Sequence, residues 1–98
     1  MTERIIENEE RLNNISKSIR IINSDLDILE SITKEIKLLN KYYGSKKWFD
    51  DKEKYESGNN KNIKAGVLSE DSVWNLDEDI KELSIRLGEI SEKLVKSI

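Results

Sequence analysis

The sequence predicts an all-α protein: an antiparallel hairpin of two long helices, closed by a short aromatic-rich helix between them. Three observations carry that expectation. The chain contains no proline, the residue that most effectively breaks a helix interior. Its four glycines, Gly44, Gly58, Gly66 and Gly88, leave residues 3–43 free of both breakers. Apolar residues also recur every three or four positions along two long segments, the spacing of a single helix face.

The first segment carries Leu12, Ile15, Ile19, Ile22, Leu26, Leu29, Ile32, Ile36, Leu39 and Tyr43 on one face. The steps alternate between three and four, as in a coiled-coil seam, with one three-residue interruption near Leu29. Thr2 is the expected N-cap, with Glu3 in the first turn.

Ser45 is placed to cap a short helix through KKWFDDKEKYES that Gly58 would end. Trp48, Lys52 and Tyr55 then share one side of it. The polar run GNNKN reads as a loop.

The second long segment places Val73, Leu76, Ile80, Leu83, Leu87, Ile90, Leu94 and Ile98 on one face. Ser69 suits its N-cap, Glu70 and Asp71 complement the positive end of the helix dipole, and Leu68 with Val73 forms a hydrophobic staple. Asp77/Lys81, Glu82/Arg86, Glu89/Lys93 and Glu92/Lys96 are acid-before-base pairs four residues apart on the outer face. Gly88 reads either as a close helix approach or as a tolerated surface glycine.

At about 1.5 Å per residue the first helix would span about 60 Å and the last about 42 Å. The first therefore overhangs, and Ile21, Ile28, Leu38 and Ile85 lie off the main seams. A two-helix hairpin leaves such surface facing water, so a partner helix or self-association into a bundle, with a homodimer as its simplest form, is expected. Ninety-eight residues suit a single domain, 1–98, with a thin stability margin.

Composition narrows the chemistry. Without cysteine there is no disulfide, thiolate ligand or thiol nucleophile. Without histidine the commonest metal ligand and neutral-pH base are both missing. The expectation is a non-enzyme with no cofactor. No apolar run approaches the length of a membrane span and the first residues lack a secretory pattern, so a cytoplasmic protein without membrane contact is expected. A charged fraction of 38% with net charge −3 argues against general nucleic-acid binding. Ile, Lys and Asn fill over a third of the chain, which suggests an AT-rich coding genome.

Two clusters invite a functional reading. All six aromatics lie between residues 42 and 74, among Lys41, Lys46, Lys47, Lys52 and Lys54. Stacking rings beside lysines suit single-stranded nucleic acid, yet Asp50, Asp51, Glu53 and Glu56 dilute the patch, and a small core closing the hairpin is preferred. Tyr42, Tyr43, Trp48 and Trp74 are its partner-binding candidates, Trp74 because it lies one residue off the seam. The second cluster is the acidic helix start. Glu70, Asp71, Asp77, Glu78, Asp79 and Glu82 do not converge at any metal-ligand spacing. Glu70, Asp77, Glu78 and Asp79 are instead candidate partner contacts.

The blocks YYGSKKW, with Asp51 after it, and GVLSED, with Asn75 and Leu76 after it, resemble domain-of-unknown-function family 4298, a bacterial family of short all-helical proteins. The matching positions are Tyr42, Tyr43, Ser45, Trp48, Asp51, Gly66, Val67, Leu68, Ser69, Glu70, Asp71, Asn75 and Leu76. The resemblance implies an all-helical fold and brings no activity, cofactor or catalytic residue with it.

The function expected is a non-enzymatic protein-interaction module. The alternative is a small acidic inhibitor of a nucleic-acid-handling enzyme, such as a phage or mobile-element anti-defence protein, whose acidic helix start imitates a phosphate backbone.

Overall fold

The computed structural model describes residues 1–58 and 62–98; the middle of the expected GNNKN loop lies outside the described residues. Among the described residues, four α-helices follow in order: α1, Thr2–Ser31; α2, Thr33–Tyr42; α3, Lys46–Glu56; and α4, Glu70–Ser97. A single 3₁₀ turn, Gly66–Leu68, precedes α4. Among the described residues there is no strand, so the protein is all-α. Its contacts divide into two compact units, Met1–Leu38 and Leu39–Ile98.

In the first unit, the uninterrupted helix expected over 3–43 is corrected to two helices meeting at Ile32. Ile32 stays in the right-handed region with ψ flattened to −7°. The hydroxyls of Ser31 and Thr33 donate to the carbonyl oxygens of Ile28 and Glu30, at 2.6 and 2.8 Å. Such back-bonding to the preceding turn competes with the helix ladder and bends it. The break also falls on two successive three-residue steps, Leu26 to Leu29 to Ile32, where a shortened repeat overwinds the helix. At the start of α1 the cap is Met1 with no side-chain bond, and Thr2 is already helical.

In the second unit, α2 ends and the chain turns through Gly44, whose φ of +76° is a conformation glycine adopts without a Cβ penalty. The Ser45 side chain then accepts the Trp48 backbone N–H at 3.2 Å and starts α3. Gly58, with φ of +100°, follows its last turn as the sequence predicts. Ser69 caps α4, its hydroxyl accepting the Asp71 N–H at 3.3 Å.

Two bonds tie the end of α2 and the residue that follows it to α4. Tyr43 donates to the Glu70 carbonyl oxygen at 2.6 Å, and Asn40 donates to Asp77 Oδ1 at 3.0 Å. Moving back along α2 moves forward along α4, so these helices meet in antiparallel order, the root of the hairpin. The bond to Asn40 also corrects the expected Asp77/Lys81 pair: Lys81 reaches Glu78 instead, at 3.2 Å, while Glu92/Lys96 forms as expected, at 2.9 Å.

Among the described residues three are buried hydrophobics: Trp48, Leu68 and Val73. They come from α3, the 3₁₀ turn and α4. A Cβ added at Gly88 would meet nothing within 4 Å, so this glycine is a surface residue rather than a point of close helix approach.

Candidate functional site

The aromatic cluster is built around Trp48, 3% exposed. Its position is set from three sides. Ser45 fixes the first turn of α3; Tyr43 and Phe49 meet the indole edge-on, with centroids 5.2 and 4.9 Å away, a favoured geometry for ring quadrupoles. The indole N–H donates to the Val67 carbonyl oxygen at 2.9 Å. That bond anchors the segment before α4 onto α3. Leu68 and Val73 then close the staple, both buried.

Lys52, one turn after Trp48, does two things. Its ammonium lies 5.1 Å from the Trp48 ring centroid, within cation–π range, and 3.2 Å from Glu70 Oε1. Its carboxylate partner is largely exposed, so the ion pair is worth at most about 1 kcal/mol. It matters more for charge, because it neutralises one carboxylate of the acidic helix start.

Tyr42 meets α3 at Asp51. Its phenol donates to Asp51 Oδ2 at 2.6 Å, which raises its pKa to about 12, chiefly because the carboxylate accepts that hydrogen bond, with desolvation and the nearby negative charge adding to it. The pair lies on a half-open cleft of about 300 Å³ whose wall includes Lys54, Tyr55, Val67 and Leu68. The phenol is thereby held more firmly protonated, the opposite of what a phenolate nucleophile requires.

The structure thus brings Tyr42, Tyr43 and Trp48 together around α3. Trp74 is 59% exposed and, among the described residues, belongs to neither ring pair. Of the acidic candidates, Glu70 is paired with Lys52, Asp77 with Asn40 and Glu78 with Lys81. Asp79 forms no ion pair among the described residues. No group of three or more acidic side chains there is arranged to hold a metal ion.

Sequence reasoning placed Phe49 with the other aromatics in a small core, whereas it is 59% exposed, and it missed the Val67 carbonyl. Phe49 lies one residue after Trp48 and so falls off the Trp48–Lys52–Tyr55 side; a backbone acceptor leaves no side-chain signal.

The second surface is the seam of α1. This helix has no buried residue. Ile5, Leu12 and Ile15 are about three-fifths exposed, Ile19 and Leu26 just over two-fifths. Among the described residues, no helix is long and apolar enough to cross a membrane.

A family model described as Domain of unknown function (DUF4298) matches residues 5–90. No curated protein and no solved structure matches the chain.

Proposed function

The chain belongs to the DUF4298 family, and from that premise and its helical surfaces we propose that it is a non-enzymatic protein-interaction module. The observation supporting this is α1: thirty residues with none buried, presenting Leu12, Ile15, Ile19, Ile22 and Leu26 at seam spacing. Apolar side chains at that spacing gain free energy when a second helix removes them from water, at about 25 cal/mol per Å². On this reading Trp48 and Tyr43 hold the closed end together, and Trp74 and Phe49 are the aromatic side chains a partner would meet.

The test is affinity capture from the source organism with the natural chain and a Leu12→Glu/Ile15→Glu variant that retains its helical content. A protein retained by the first and lost by the second supports the proposal; identical capture by both refutes the seam as the contact. The inhibitor alternative is less favoured, since three of its four carboxylates already have partners within the chain.

A further inference from the structure

Resting on that reading, we infer that the first half of α1 pairs with a second copy of this chain, parallel and in register. Ile5, Leu12 and Ile19 fall on one row of a heptad seam, and Asn8, Ile15 and Ile22 on the other. The flanking positions then carry the specificity. Arg4 and Arg11 lie on one side of the seam and Glu9 and Ser16 on the other.

In a parallel pair each Arg4 faces the Glu9 of the other copy, twice by symmetry, and Arg11 faces a neutral Ser16. An antiparallel pairing of the same stretch sets Arg4 against Arg11. Asn8 points the same way. In register it meets the other Asn8, amide against amide, whereas antiparallel it faces Leu12 and places a polar group in an apolar layer. Asn8 Nδ2 bonds the Arg4 carbonyl oxygen at 2.7 Å and Oδ1 accepts from Arg11 at 3.1 Å; an amide has two donors and two acceptor sites, so capacity remains. Further along, Asp25 would face Glu30, a like-charge contact that confines favourable pairing to the first three heptads. That stretch also holds the most exposed seam residues, Ile5, Leu12 and Ile15.

The full chain lacks cysteine, so one introduced thiol reports on pairing. Sedimentation equilibrium should show the natural chain passing from monomer to dimer between micromolar and several hundred micromolar. In a glutathione buffer, Leu12→Cys should cross-link to itself, and the outward-facing Glu10→Cys should not. Arg4→Glu should weaken dimerisation about tenfold, and Arg4→Glu/Glu9→Arg should restore it. A chain that stays monomeric throughout refutes self-pairing while leaving the capture experiment to judge the interaction module. Faster cross-linking between Asn8→Cys and Leu12→Cys than within Leu12→Cys, or failure of the double charge swap to rescue, overturns the parallel register.

Discussion

Replacing Trp48 by alanine should remove most of the stability of the closed end. The indole is 3% exposed, and a large aromatic buries about 150–250 Å², which at about 25 cal/mol per Å² gives an upper range of about 4–6 kcal/mol. Measured losses for Trp or Phe to Ala in cores run to about 3–5 kcal/mol. The Val67 carbonyl loses its indole donor as well. We therefore expect a loss of about 4 kcal/mol, a large part of the 5–15 kcal/mol available to small domains. Urea unfolding, followed by circular dichroism and by the fluorescence of Trp74, should show the midpoint falling by about 2–4 M. Trp48→Phe keeps a ring and forfeits mainly the N–H bond, so it should lose only about 1–2 kcal/mol. An alanine variant less than about 1 kcal/mol below the natural chain would refute the claim that Trp48 anchors the closure.

Other expectations concern single positions. Ser69→Ala should cost about 1 kcal/mol by removing the α4 cap, with Ser69→Asp nearly neutral in the same denaturation assay. Gly44→Ala should destabilise by about 1–2 kcal/mol because its φ is +76°. Gly88→Ala should stabilise by about 0.5–1 kcal/mol, since the added methyl meets nothing and alanine favours the helix. Tyr42 should titrate near pH 12. Its folded pKa lies above the ordinary phenol value, so the folded state holds its proton more tightly. The associated stabilisation is complete below about pH 10 and is lost as pH rises towards 12. Asp51→Asn should lower that pKa, as followed by phenolate absorbance.

Local chemistry made much of the fold legible. The caps at Ser45 and Ser69, the turn after α3 and the Leu68/Val73 staple each depend on residues within a few positions of one another, and such signals survive in sequence. The break at Ile32 was only half legible. The three-residue step near Leu29 marks the region, but the interruption itself depends on Ser31 and Thr33 hydroxyls turning back to carbonyls, one rotamer choice among several open to them.

The candidate surfaces divide along the same line. The α1 seam is a periodic property, so its spacing is set entirely by residue order. The aromatic group is not. Tyr42, Tyr43, Trp48 and Trp74 share a short stretch of sequence, yet Tyr43 and Trp48 meet edge to face while Trp74 stands mostly exposed. That separation is decided by how α3 docks on the 3₁₀ turn before α4, through an N–H to carbonyl bond spanning nineteen positions. Likewise Asp77 takes Asn40 rather than Lys81 as its hydrogen-bonding partner. The sequence by itself determined which segments are helical, where their caps fall and which faces are apolar, because these depend on near neighbours and helical period. Only the tertiary structure decided which aromatics and carboxylates are already engaged, because a long-range contact depends on the placement of elements far apart in the chain.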